Sequence, residues 1–82
     1  MVTIRLTRHA EEKLERLKAI GITREKIIDT LSRRKKIREG QKGRKIIHAP
    51  LAENLIMRVV YEEIGDEILV ITVYPARKER YE

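Results

Sequence analysis

The chain has 82 residues with 19 Lys and Arg against 13 Asp and Glu, a formal net charge of +6, and no Cys. This length accommodates a single domain spanning residues 1–82, and the lack of Cys excludes disulfides and thiolate metal ligands. No apolar run approaches the ~18 residues of a membrane-spanning helix, and the N-terminus has no signal segment. We therefore expect a cytoplasmic protein with no membrane partner.

The excess of positive charge predicts a polyanionic partner, RNA or DNA, or else an acidic protein. Charged residues make up 39% of the chain, and Phe, Trp and Cys are missing. This composition is typical of heat-adapted proteins, which have many surface ion pairs. Any single Lys or Arg can therefore equally well form a surface salt bridge or bind a ligand.

The first part of the chain predicts a short strand and two helices. Residues 2–6 alternate between apolar and polar types, as a strand does. Thr7 can cap a helix that starts at the next residue, and Gly21 is the residue type that ends a helix in a left-handed conformation. Thr23 can cap a second helix, which should fray near 32–34. The apolar stripes that the helices are expected to bury are Ala10, Leu14 and Leu17 in the first, and Ile27, Ile28 and Leu31 in the second.

The most basic part of the chain is the stretch 33–45, with eight cations and one Glu. Gly40 and Gly43 bracket a predicted turn, and either two short strands around 36–38 and 44–48 flank it or the whole stretch is a mobile loop. No aromatic residue is interleaved, so base stacking is not indicated, whereas contact with a phosphate backbone or an acidic protein surface is. The candidate nucleic-acid-binding residues are Arg33, Arg34, Lys35, Lys36, Arg38, Lys42, Arg44 and Lys45.

Residues 54–75 have the highest apolar density in the chain and predict an antiparallel hairpin around a turn at Gly65 and Asp66. The preceding stretch 49–53 is predicted to be a connector, because Pro50 is unsuited to a central strand. The hairpin should form the centre of the sheet.

The register of this hairpin decides which side chains share a face. If Glu63 lies opposite Glu67, Arg58 pairs with Thr72, and both lie with Tyr74 on one face. A strict two-residue turn would shift the pairing by one and mix the faces. We expect the first register, supplied by a three-residue turn or a bulge, because it gives the helices one continuous apolar surface. That surface would contain Leu55, Met57, Val59, Tyr61, Leu69, Ile71 and Val73.

Arg58, Tyr74 and His9 have side chains that can bind an anion or transfer a proton. Arg58 interrupts an apolar strand and must reach water, an anion or a carboxylate such as Glu62. Tyr74 either transfers a proton, with its pKa lowered by neighbouring cations, or packs at a sheet edge. His9 either transfers protons or is a boundary residue that bonds to the sheet. The two His residues lack acidic ligands at suitable spacing, so we expect no metal and no cofactor.

One strand, two helices and then an antiparallel sheet of three to four strands predict an α+β domain with the helices packed on one face. Five segments also carry a resemblance to known proteins. These are L-T-R-H-A at 6–10, G-I-T at 21–23, V-V-Y-E-E-I-G-D at 59–66, V-I-T-V-Y-P at 70–75 and A-R-K-E-R-Y at 76–81. The first four resemble small proteins of unknown function in the RelE/ParE toxin superfamily. The last is similar to the end of BrnT-type toxins.

The resemblance implies a RelE-like basic toxin that an antitoxin neutralises and that cuts messenger RNA in the ribosome without a metal. Other members of the superfamily act on gyrase, and many have no assigned activity. A non-catalytic nucleic-acid-binding module and a protein-interaction domain that takes up a partner strand therefore stay open, as does a homo-oligomer. The resemblance places Arg58, Arg77, Arg80 and Tyr81 around the scissile phosphate, and Tyr74 and His9 complete the catalytic candidates.

Overall fold

The structure, a computed structural model, describes residues 3–33 and 37–80. Within these ranges the chain forms one strand, two α-helices and four further strands, which confirms the predicted α+β class. Short 3-10 turns follow the first helix and the last strand. The elements are β1 (Thr3–Leu6), α1 (Arg8–Leu17), α2 (Arg24–Arg33), β2 (Arg38–Glu39), β3 (Lys45–Ala52), β4 (Leu55–Ile64) and β5 (Glu67–Arg77).

Both α-helices start at the capping residues that the sequence predicts. The Thr7 hydroxyl accepts a hydrogen bond from the Ala10 N–H at 3.1 Å, and the Thr23 hydroxyl accepts one from the Lys26 N–H at 3.2 Å. Gly21 has a φ of 97°, the left-handed conformation expected after a helix end. Local sequence rules therefore determine where the helical region begins and where it turns.

The strands form one mixed sheet in the order β1-β5-β4-β3-β2. β1 pairs with β5 in parallel, and all other neighbours are antiparallel. The expected sheet of three to four antiparallel strands thus gains a parallel edge strand. A parallel pair of strands is not joined by a short hairpin turn, because the connection passes through other elements. The sequence therefore contains no local signal for the pairing of β1 with β5.

The β4–β5 hairpin has a two-residue turn, with Ile64 opposite Glu67. The predicted register, with Glu63 opposite Glu67, is therefore wrong. Gly65 takes a φ of 59°, which the first central position of a type II′ turn requires. The predicted three-residue turn is replaced by this tighter one.

A bulge in β5 then restores the separation of the two faces. Tyr61 lies opposite Val70 but Val60 lies opposite Thr72, so Ile71 is an extra residue in β5. An extra residue exchanges the faces of all positions beyond it. The buried side chains of β5 are therefore Ile68, Val70 and Val73, whereas Leu69 and Ile71, which were predicted to be buried, are half-buried.

The stretch 49–53, predicted to be a connector, is mostly strand, because β3 continues to Ala52. Pro50 is tolerated there because β2 pairs with β3 only at Lys45 and Ile46. The proline thus lies where β3 forms an edge of the described sheet, and no ladder bond from its nitrogen is needed.

Both helices pack on one face of the sheet, as predicted. Ile22 and Ile27, which flank the start of α2, are fully buried, as a hydrophobic staple requires. Ile28, predicted to be buried as well, is 38% exposed. The core consists of Ala10, Ile22, Ile27 and Leu31 from the helical region and of Ile47, Met57, Val59, Tyr61, Ile68, Val70 and Val73 from the sheet.

Candidate functional site

A row of three polar side chains crosses the second face of the sheet, the face opposite the helices. His48 on β3 lies opposite Arg58 on β4, and Arg58 lies opposite Tyr74 on β5. The guanidinium carbon of Arg58 is 5.4 Å from the centre of the Tyr74 ring, a cation–π distance. The predicted pairing of Arg58 with Thr72 is wrong, but Thr72 is a diagonal neighbour and stays on the same face.

The bulge at Ile71 is the reason that Tyr74 belongs to this row. Without an extra residue, Tyr74 would continue the alternation of Ile68 and Val70 and would face the core. With the bulge, Val73 takes the core position. A local irregularity of β5 therefore brings a phenol next to a guanidinium.

Lys13 on α1 reaches the same ring from the edge of the sheet. Its ammonium nitrogen is 5.4 Å from the centre of the Tyr74 ring and 3.4 Å from the Thr72 hydroxyl oxygen. No carboxylate among the described residues forms an ion pair with Lys13. One aromatic ring thus contacts two cations from different elements, Lys13 and Arg58. We call Lys13, His48, Arg58 and Tyr74 the cationic row.

Thr7 positions α1, and with it Lys13, against β5. Its hydroxyl donates to the backbone oxygen of Ile71 at 2.9 Å while it accepts from the Ala10 N–H. Its own N–H donates to the backbone oxygen of Val70 at 3.0 Å. The helix start is therefore bonded directly to the bulge that turns Tyr74 outward.

The imidazole of His48 favours its neutral form. Its burial, together with the positive charges of Arg38 and Arg58, lowers its pKa below the ordinary value for histidine. Near neutral pH the imidazole of His48 is therefore mostly uncharged.

The other predicted catalytic residues lie outside the cationic row or outside the description. Arg77 lies three residues beyond Tyr74, which puts it on the opposite face of β5, and it forms an exposed ion pair with Glu79 at 3.9 Å. His9 is exposed, one helical turn before Lys13 on the same side of α1. The Arg80 side chain and Tyr81 lie outside the described residues.

The cations of the stretch 33–45 lie in different surroundings. Three of its cations form ion pairs with carboxylates, and Lys42 is exposed in the turn, with a φ of 59°. Arg38 is close enough to His48 to influence its pKa. Arg34, Lys35 and Lys36 lie outside the described residues. The ion pairs are Arg33–Asp29 at 3.5 Å, Arg44–Glu62 at 3.2 Å and Lys45–Glu63 at 3.2 Å.

Two members of the cationic row, Lys13 and His48, were not among the sequence-based candidates. Lys13 is 59 residues from Thr72 in sequence, so no local pattern connects them. His48 could have been found from the hairpin that joins β3 and β4, since pairing across it places His48 opposite Arg58. The missing information was the extension of β3 through Pro50.

Among the described residues, no group of three or more His, Cys, Asp or Glu residues could hold a metal ion. Neither described helix combines the length and the apolar character that a membrane crossing requires. No family model, curated protein or solved structure matches this chain. The fold and the site define a small basic α+β protein with cations gathered on one face of its sheet, and the RelE/ParE resemblance stays a prediction from sequence.

Proposed function

We propose that this protein binds single-stranded RNA on the second face of its sheet and cleaves it at the cationic row without a metal ion. The observation that carries this proposal is the pair of cations on one phenol ring, Lys13 and Arg58 on Tyr74. Each cation lies 5.4 Å from the centre of the same ring, so a phosphate bound beside this ring would lie near both positive charges. Two cations beside one ring suit a negatively charged phosphate group better than a neutral ligand.

The two cations supply different geometries for one phosphate. The Arg58 guanidinium can donate two parallel hydrogen bonds to its oxygens, whereas the Lys13 ammonium acts as a point charge. Both side chains are half-buried, so their charges act in an environment that is screened less than the open surface. The Lys13 ammonium also donates a long hydrogen bond, 3.4 Å, to the Thr72 hydroxyl.

The proton transfers that cleavage requires can be assigned to His48 and Tyr74. The neutral imidazole of His48 accepts the proton of the ribose 2′-hydroxyl, whose oxygen then forms a bond to phosphorus. The bond from phosphorus to the 5′-oxygen breaks, and the Tyr74 hydroxyl donates a proton to that leaving oxygen. The products are a 2′,3′-cyclic phosphate and a 5′-hydroxyl, and the charge that develops on the phosphate oxygens faces Arg58 and Lys13.

The RNA-cleavage part of this proposal follows the sequence resemblance to RelE/ParE toxins. The resemblance adds two proposed partners, the ribosome as the place where messenger RNA is presented and an acidic antitoxin as the inhibitor. Two described cations of the stretch 33–45, Arg44 and Lys45, already pair with carboxylates, which favours the cationic row over these two as the phosphate site.

Incubation of the purified protein with labelled single-stranded RNA, and with messenger RNA on translating ribosomes, tests the proposal. The reaction with free RNA is run once with a metal chelator and once without it. Wild-type protein should release fragments ending in a 2′,3′-cyclic phosphate, and Arg58→Ala, Tyr74→Phe and His48→Gln should each slow cleavage about 100-fold, as expected for loss of one charge-stabilising or proton-transfer group. Arg5→Ala is the matched control, because Arg5 is an exposed cation on β1 paired with Glu67.

Cleavage that is unchanged in all three variants would refute the assignment of the cationic row. RNA that is bound but left intact in both arms would replace the enzyme proposal with the binding-module alternative. In that case the affinity, and no longer the rate, should depend on Arg58.

A further inference from the structure

A second feature, an open cavity, adjoins the cationic row at the outer edge of β3. It has a volume of about 500 Å³, which lies within the range of small-molecule sites. Lys26, Asp29, Thr30 and Arg33 follow each other at helical spacing and form the α2 wall. The remaining walls are Arg38 from β2 and Ile47, His48, Ala49 and Pro50 from β3.

The two sides of this cavity differ in chemistry. The β3 wall offers the apolar surfaces of Ala49 and Pro50, against which a planar ring can pack. The opposite wall carries Lys26 and Arg33, which are cations suited to a phosphate or a ribose oxygen. An apolar wall beside cations and one carboxylate fits a nucleotide better than it fits a purely apolar ligand.

The only carboxylate among the cavity-lining residues is Asp29. A carboxylate accepts hydrogen bonds and, near neutral pH, donates none. Guanine is the only RNA base whose Watson–Crick edge presents two adjacent N–H donors, whereas adenine, cytosine and uracil present acceptors beside a donor. Single-stranded RNA exposes this edge to the protein. The charge and the hydrogen-bonding capacity of Asp29 therefore select guanine.

We infer that this cavity binds the nucleotide next to the cleaved phosphate and that Asp29 reads its base as guanine; this inference rests on the proposed function. The exposed ion pair between Asp29 and Arg33, at 3.5 Å, costs little to rearrange when the base enters. His48 belongs both to the cavity wall and to the cationic row, so the two sites share a boundary. Neighbouring strands lie about 4.8 Å apart, so Arg58 on β4 is one strand spacing from the β3 edge that the cavity adjoins.

Titration of the full chain with each of the four nucleoside 5′-monophosphates, followed by backbone amide NMR, tests this inference. Guanosine monophosphate should shift the amides of α2 and of Ile47–Ala49, with an affinity about tenfold above that for adenosine monophosphate, the factor that a bidentate base contact gives. Asp29→Asn should reverse this preference, because an amide offers the donor and acceptor that adenine matches. Glu25→Gln is the matched control, since it removes one exposed carboxylate from the same helix outside the cavity.

The same protein preparations are also assayed for RNA cleavage. The two assays together distinguish a failure of the guanine inference from a failure of the proposed function. If the wild-type protein cleaves RNA but guanosine monophosphate does not shift the cavity amides, or if Asp29→Asn keeps the guanine preference, the inference is wrong and the proposed function stands. If guanosine monophosphate binds in an Asp29-dependent way but Arg58→Ala and Tyr74→Phe cleave like the wild type, the proposed function is wrong. Guanine selectivity that disappears equally in Glu25→Gln would also overturn the inference.

Discussion

Lys13→Ala removes the cation of the cationic row that lies farthest from the others in sequence. Its contacts are the Tyr74 ring at 5.4 Å and the Thr72 hydroxyl at 3.4 Å, the latter near the upper limit for a hydrogen bond. A cation–π contact of this kind contributes about 0.5–1 kcal/mol, and its loss is partly offset by reduced repulsion with Arg58. We therefore expect the free energy of unfolding to fall by less than about 1 kcal/mol.

The effect of Lys13→Ala on RNA binding should be larger than its effect on stability. Each phosphate contact with single-stranded nucleic acid contributes about 0.7 to the slope of log affinity against log salt concentration. The variant should lose about 0.7 of that slope and about tenfold in affinity at low salt, the equivalent of about 1.4 kcal/mol. Fluorescence anisotropy of a labelled RNA over a salt series measures both quantities.

Lys18→Ala is the control for this experiment, because Lys18 lies on the same helical segment but pairs with Glu15 at 3.2 Å and is exposed. Its salt slope should match that of the wild type. If Lys13→Ala and Lys18→Ala show the same slope, Lys13 does not contact phosphate and the reasoning from its position on Tyr74 is refuted.

Three further predictions concern the framework that positions the site. Ile27→Ala should lower the free energy of unfolding by about 2–5 kcal/mol in denaturant titrations, because this fully buried side chain leaves a cavity; a change below about 1 kcal/mol would contradict the observed packing. Thr7→Val should cost about 1–3 kcal/mol by thermal unfolding, since it removes the bonds of the hydroxyl to Ala10 and Ile71, whereas an unchanged melting temperature would argue against that anchor. His48 binds its proton less readily in the folded than in the unfolded protein, so stability should fall as the pH drops through 6.5 and below. His48→Gln should weaken that dependence, and identical stability curves against pH would show that His48 is not the group responsible.

The helical region could be predicted from sequence because its signals are local. Thr7, Thr23 and Gly21 act within three or four residues, and each takes the predicted conformation or hydrogen bond. The apolar alternation of β4 likewise predicts that Met57, Val59 and Tyr61 share a face. In the structure all three are fully buried.

The register of β5 could not be predicted in the same way, because it depends on contacts between distant residues. The hydroxyl of Thr7 bonds to Ile71 across 64 positions of sequence, at the bulge that turns Tyr74 outward. Nothing in the sequence near Ile71 distinguishes it from the neighbouring β-branched residues. The pairing of β1 with β5 has the same character, since a parallel partner leaves no turn signal.

The candidate site could be predicted only in part, for the same reason. Arg58 and Tyr74 were recognised because a cation and a phenol interrupt apolar strands. Lys13 and His48 join them through the placement of α1 and of β3, which the sequence pattern does not determine. The catalytic candidate Arg77 lies on the other face because three residues separate it from Tyr74.

We propose that an RNA phosphate lies between Lys13 and Arg58 beside Tyr74. A crystal structure of the protein with a short RNA that carries a 2′-deoxynucleotide at the cleavage position tests it most directly, because the missing hydroxyl prevents cleavage. We expect a phosphate within hydrogen-bond distance of both the Lys13 ammonium and the Arg58 guanidinium, with the Tyr74 hydroxyl directed at the 5′-oxygen. RNA bound instead along the stretch 33–45, with Arg58 and Tyr74 away from any phosphate, would contradict it.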